Sequence, residues 1–313
     1  SEDEGTFTIG CAGGADSELS LPVERKTRKA RNLMQVSLKG LRGGHSGLDI
    51  NSGRGNAIKL LARLLAEAGS KFKFELISFN GGSKRNAIPR EAVAVLSVGP
   101  GQEKGLSQQL KKSFAAIGFE YRVTEPEMKL EIKKTADSGW PLAADSQARL
   151  LNLILVLPHG VISLHPEISG LVETSSNLAI VETLDKKVKI VCNSRSSIGS
   201  ALEAVRLVIK ACAALAEARI AQPDGYPAWT PDLNSPLLQR MIEIYRHLFG
   251  KEPEVKAVHA GLECGIIGEK YPDLDMISIG PTIRYPHSPE EKVSLSSVEK
   301  FWELVVETLK LLA

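Results

Sequence analysis

The residues whose types and setting could do chemistry are two histidines, an arginine, an asparagine and a glutamate, each in a short loop motif. His287 stands in PTIRYPHSPEE, just past an apolar run that ends at Ile279. Ligand-binding groups of open α/β sheets collect at the carboxyl ends of strands. A neutral imidazole there is a good zinc ligand, and the neighbouring Glu290 and Glu291 could orient it. Taken alone, His287 reads more simply as a surface histidine, because a catalytic zinc needs about three protein ligands. His45 sits in GGHSG, residues 43–47. The glycines let backbone approach a ligand closely, and the imidazole could stabilise an oxyanion. The plain alternative is a turn whose histidine fills a gap.

Arg195 ends the segment CNSRSS. Its guanidinium fork matches a carboxylate, although an arginine at a strand end is commonly a solvated rim residue. Glu263 in HAGLECG is enclosed by small residues and could take a substrate ammonium, or be a simple loop acid. Asn86 in GGSKRNAIPRE could bridge polar groups of a substrate, or cap its own turn. The chain has no Walker loop, GxSxG elbow, HExxH helix or dinucleotide fingerprint.

These loops need elements to hold them. Residues 33–39 alternate apolar and polar with the period of a half-buried strand. Residues 55–68 place apolar side chains at helical spacing. Strands are predicted over 72–79, 92–98 and 128–133, with a helix over 106–117. A similar order follows: helix 146–157, strands 178–183 and 187–192 around the turn at Leu184-Asp185-Lys186, and helix 201–218. The pattern reads as two β-α-β-β-α-β units in series, a split βαβ arrangement with sheet on one side and helices on the other. PDGYPAWTPDLNSP marks a boundary. Beyond it come helix 236–249, strand 254–258, strand 276–279 and helix 297–312, which suggest a mainly parallel α/β layer. The first and last segments would form one domain (1–27 and 223–313), interrupted by residues 28–222, with KTRKAR at 26–31 as a solvated connector.

Composition agrees with a folded chain of two domains: 313 residues, 43% apolar and 24% charged. Thirty-nine basic against 37 acidic residues leave a net charge of +2, which gives no nucleic-acid footprint. No run reaches the roughly 18 apolar residues of a membrane span. The cysteines Cys11, Cys192, Cys212 and Cys264 form no CxxC pair.

In order along the chain, SEDEGTFTIGCAGG, LKGLRGGHSG, FNGGSKRNAIPREA, GYPAWTPDLNSP, HAGLECG and SIGPTIRYPHSPEE resemble the bacterial aminoacyl-histidine (Xaa-His) dipeptidases. These belong to the metallopeptidase family that also holds carnosinases and peptidase T. The resemblance implies an α/β catalytic domain interrupted by an α+β lid built of split βαβ, ferredoxin-like units. It implies hydrolysis of dipeptides, Xaa-His such as carnosine and broader ones, by a metal-activated water. Two zinc ions per intact subunit would be expected, with cobalt or manganese as substitutes. On this resemblance His287 matches the C-terminal zinc ligand, and His45 the lid histidine that steadies the oxyanion. Arg195 falls where the lid arginine grips the substrate carboxylate, while Asn86 and Glu263 fall in substrate-binding blocks. A homodimer formed through the lid and a cytoplasmic location are further expectations of the family.

The chain departs from that pattern at its start. The family's HxD motif, bridging Asp and Glu-Glu pair supply most of the metal ligands and the general base, and they are absent here. A further Asp ligand is expected immediately before Ser1. The chain thus looks like the C-terminal two-thirds of such an enzyme, with a missing N-terminal half as its natural partner. The competing reading is a catalytically inactive fragment that serves as a binding or dimerisation module.

Overall fold

The computed structural model describes residues 3–27, 32–136, 139–285 and 289–312. The chain opens with strands β1 (Thr6–Cys11) and β2 (Gly13–Pro22). Next come β3 (Asn32–Lys39), the short β4 (Gly44–His45), α1 (Ala57–Gly69), β5 (Phe74–Gly81), the short β6 (Ala87–Ile88), β7 (Ala92–Val98), α2 (Glu103–Glu120) and β8 (Lys129–Lys134). Then follow α3 (Ala144–Val156), β9 (Gly160–Leu164), the hairpin β10 (Val172–Thr183) and β11 (Lys187–Ser196), α4 (Gly199–Leu215) and β12 (Arg219–Ala221). The last part holds α5 (Pro236–Phe249), β13 (Glu254–Val258), α6 (Glu263–Lys270), β14 (Ile283–Arg284), β15 (Lys292–Val293) and α7 (Leu295–Leu312).

Local chemistry sets the helix ends. Asn56 starts α1 by accepting the main-chain N–H groups of Ile58 and Lys59, which would otherwise lack partners. Ser235 does the same for Leu238 at α5, whose first residue is a proline with its φ preset for a helix. Gly250 closes α5 at φ +65°, where a side chain would be strained.

A nine-stranded sheet dominates, in the order β12-β2-β11-β10-β5-β7-β3-β8, with β9 added on β10. Its neighbouring strands are antiparallel. Within it, β3-α1-β5-β7-α2-β8 forms one split βαβ unit, in the sheet order β8-β3-β7-β5. The second unit has the same order, β12-β2-β11-β10, and takes its first strand from β2. The two units are therefore nested rather than in series: the whole first unit is inserted between β2 and α3. They share a sheet because β10 meets β5 edge to edge at Val181 and Gly81. α1 packs on α2 and α3, and α3 on α4, so the helices form a row over a shared apolar core.

β2 escapes a hydropathy reading because its buried face is Ala15, Ser17, Leu19 and Leu21, with glycines at its start. By hydrogen bonding it goes with the inserted segment, since it pairs with β11 along ten register positions. A division at residue 27 separates it from both its neighbours.

The smaller layer is built on β1 and β13, which run parallel. Phe7 and Ile9 pack there against Leu238, Met241, Ile244, Tyr245 and Leu304 from α5 and α7. The strand expected over 276–279 is reduced to an antiparallel bridge between Ser278 and Thr8. HAGLECG, expected as a loop, turns into α6 from Glu263 onward. No helix among the described residues is long and apolar enough to cross a membrane.

Candidate active site

Polar strand ends build the site. Residues 174–177 of β10 lie in register with 193–196 of β11, and all eight are buried. The sequence reading ends both strands at their apolar parts, near Leu178 and Cys192. The structure continues them through the polar run, because hydroxyls and amides pair across it. Thr174 meets Ser196 at 2.9 Å and Ser176 meets Ser194 at 3.1 Å. This extension carries Arg195 into the junction between the large sheet and the smaller layer.

Arg195 is only 6% exposed. Its Nη1 donates to the Tyr226 hydroxyl at 2.6 Å, and its Nε and Nη2 both donate to Ser46 Oγ at 3.4 Å. Among the described residues no carboxylate pairs with it. A buried guanidinium without a counter-ion is costly and persists where something offsets it. Ser46 is held in turn by Asn193 Oδ1 at 3.2 Å, and Asn193 donates to Asp16 at 2.8 Å.

His45 stands beside this group on β4. Gly44 before it adopts φ +141°, with the space for a Cβ filled by Arg54 and Asp49. The His45 Nδ1 accepts N–H groups from Gly47 and Leu48 at 3.2 and 3.1 Å, so the neutral ring carries its proton on Nε2. Burial lowers the His45 pKa, and Arg195 adds to the effect while Asp49 opposes it. The ring is therefore a neutral N–H donor near pH 7.

Gly47 is where the pieces meet. A Cβ there would lie 2.1 Å from the His259 carbonyl oxygen, and 3.2 Å from both Arg195 Cδ and His45 Cε1. His259 follows β13, is 6% exposed, and places Nε2 2.7 Å from the Ser175 hydroxyl. Ser175 is the register partner of Arg195. Burial, and then the charge of Arg195, push the His259 pKa down to about 4. The unfolded chain, with an ordinary histidine near 6.5, binds the extra proton between these values. Stability contributed here is thus full above about pH 6.5 and falls as pH drops towards 4. Unfolding free energies from urea titrations between pH 7 and 4 should fall less steeply for His259→Gln, the difference in slope approaching about 1.4 kcal/mol per pH unit.

The loop that carries His45 is fastened at both ends by a residue that hydropathy does not reveal. Glu125 is 3% exposed, and its two carboxylate oxygens accept N–H groups from Arg42 at 2.7 Å and Gly55 at 2.8 Å. Glu125→Ala leaves the buried N–H of Gly55 without a partner and opens that of the exposed Arg42 to water, and should cost on the order of 2 kcal/mol in urea unfolding. Glu125→Gln keeps one acceptor and should cost roughly half as much.

Of the residues singled out in the sequence, His45 and Arg195 thus come together. Asn86 joins them through its backbone, whose carbonyl accepts from Ser46 N at 2.9 Å, while its side chain is exposed. Glu263 occupies the exposed first turn of α6, where its charge acts on the buried Cys11 thiol. It makes no hydrogen bond to the Arg195 group among the described residues. His287 lies outside the described residues. His259, Ser46 and Tyr226 are additions from the structure. Their signal was weak: polar residues in strand-like runs, and a tyrosine in a segment rich in Pro and Gly.

Fold and site together define a mixed α/β chain whose polar site lies between a large antiparallel sheet and a smaller parallel layer. Residues 36–124 match the family of peptidase dimerisation domains. The chain is 40% identical over 311 residues to the cytosol non-specific dipeptidase of Escherichia coli strain K12, covering 99% of this chain and 64% of that one. Among solved structures, the aminoacylhistidine dipeptidase from Vibrio alginolyticus matches with a TM-score of 0.95 and 37% identity, again over 99% of this chain and 64% of the other. The chain resembles these dipeptidases in sequence and in fold, and it spans slightly under two-thirds of their length. These relatives are hydrolases.

Proposed function

We propose that the chain is the lid and part of the catalytic layer of a dipeptidase, in which Arg195 takes the substrate's terminal carboxylate. The observation that supports this most is the buried guanidinium of Arg195, without an acid partner among the described residues and beside a neutral imidazole. A guanidinium offers five N–H groups. Three are engaged by Ser46 and Tyr226, which leaves two for an incoming anion. With the carboxylate fixed, the carbonyl of a dipeptide lies one residue away. The Nε2–H of His45 then donates to its oxygen as negative charge develops. Asn86 and Glu263 are assigned to binding the rest of the substrate, Glu263 at the ammonium end. Substrates would include Xaa-His and other short peptides.

The family's chemistry calls for a divalent metal, zinc in this reading and two ions per subunit, to activate the water. Among the described residues no group of three His, Cys, Asp or Glu side chains could hold a metal ion. We assign His287 as one ligand and the others to the remaining part of the parent polypeptide. A homodimer through the lid and a cytoplasmic site of action complete the reading.

The test compares a dipeptide with its C-terminal amide in the intact parent. Loss of the anion removes a charge-assisted, buried interaction. The free acid should be turned over with kcat/KM at least about 100-fold above the amide. Equal turnover of both would refute carboxylate recognition.

A further inference from the structure

Arg195 has four side-chain torsions, and a useful carboxylate fork needs its plane fixed. Its two bonds to Ser46 are long, 3.4 Å each, and converge on a single oxygen. The bond to the Tyr226 hydroxyl, at 2.6 Å, is the short one. Tyr226 is anchored through its backbone and its hydroxyl end, although 36% of the residue remains exposed. Its backbone bridges Gly14, giving and taking hydrogen bonds at 3.0 and 3.1 Å. Gly14 is also the register partner of Arg195 on β2. A Cβ on Gly14 would lie 2.4 Å from the Tyr226 hydroxyl oxygen, and one on Gly261 would lie 2.7 Å from the ring. Two glycines, one from each side of the sheet junction, thus make the slot in which the phenol lies. Burial raises the Tyr226 pKa and Arg195 draws it back only in part, so the hydroxyl remains protonated at neutral pH.

We propose that Tyr226, in the linker between the lid and the last segment, is a positioning residue that fixes the plane of the Arg195 guanidinium and so sets the preference for peptides with a free terminal carboxylate. This rests on the reading of Arg195 as the carboxylate-binding group. It gives PDGYPAWTPDLNSP, otherwise a boundary segment, a role in selecting substrate. It also makes the arginine's geometry depend on contact between elements far apart in sequence: β2, β11 and the loop after β13.

Tyr226→Phe in the intact parent keeps the ring and removes only the hydroxyl. KM for a dipeptide should rise about 10-fold with kcat within about twofold. The preference for free acid over amide should fall by a similar factor, since one charge-assisted bond is lost. Ser46→Ala should have a smaller effect on the same ratio. Arg195→Met serves as the reference. If it abolishes the preference while Tyr226→Phe leaves both KM and the ratio unchanged, the positioning role is wrong and the Arg195 reading stands. If Arg195→Met leaves the preference intact, both fall. A Tyr226→Phe enzyme whose kcat drops equally for acid and amide has lost packing only, which also overturns the proposal.

Discussion

Arg195→Met in the intact parent should lower kcat/KM for a dipeptide by about two to three orders of magnitude, mostly through KM. Truncating one partner of a buried, hydrogen-bonded charge pair costs about 2–5 kcal/mol, at about 1.4 kcal/mol per factor of ten. Met suits the test because it replaces the unbranched apolar stem of arginine without the guanidinium or its charge. The same change should leave the unliganded fold as stable or more stable. Arg195 is buried without an acid partner among the described residues, so its removal relieves a desolvation cost. Opposite signs for binding and stability are the signature of a group kept for a ligand. Steady-state kinetics together with urea unfolding measures both. An Arg195→Met protein that is much less stable, yet retains KM, would mean that the guanidinium is structural.

Gly47→Ala should be the most damaging single methyl group in the site. Its φ is not in the left-handed region, so the effect is steric and not conformational. The added carbon meets a backbone carbonyl at 2.1 Å, which cannot swing away as a side chain can. His259, Arg195 and His45 all border that point, so relief of the clash moves the Arg195 side chain, the His45 ring, or the segment after β13. A loss of roughly 3 kcal/mol in stability is expected from overpacking. The fall in kcat/KM should be about 100-fold or more, the scale of a 1 Å misplacement. Gly118→Ala is the matched control. It lies inside α2 with no atom within 4 Å of the added Cβ, and should stabilise by about 0.5–1 kcal/mol. If Gly47→Ala behaves like Gly118→Ala in unfolding and kinetics, the three-way packing at Gly47 is not what holds the site.

Elements are legible in the sequence where burial and periodicity coincide. α1 carries its apolar residues on one face and is capped by Asn56, and both signals are local. The hairpin β10–β11 was found from its apolar core and the tight turn at Leu184-Asp185-Lys186. Its extension to Ser196 was not, because residues 193–196 are polar and become strand only by pairing with 174–177 and with β2. α6 was missed for a related reason: it is eight residues long with a single buried residue, Gly265, so it has no apolar stripe to read.

The site divides in the same way. The types of His45 and Arg195, and their glycine-rich and polar settings, are written in GGHSG and CNSRSS, and the family resemblance follows from such short blocks. By itself the sequence determined which side chains are available for the roles proposed for Arg195 and His45. Only the tertiary structure decided that they meet, and that Tyr226, Ser46, Glu125 and His259 hold them. The reason is sequence distance. β2 pairs with β11 across more than 160 residues, with the first split βαβ unit inserted between them. Periodicity reports which face of an element is buried, not which distant element buries it, and the Arg195 group exists only where three such elements converge.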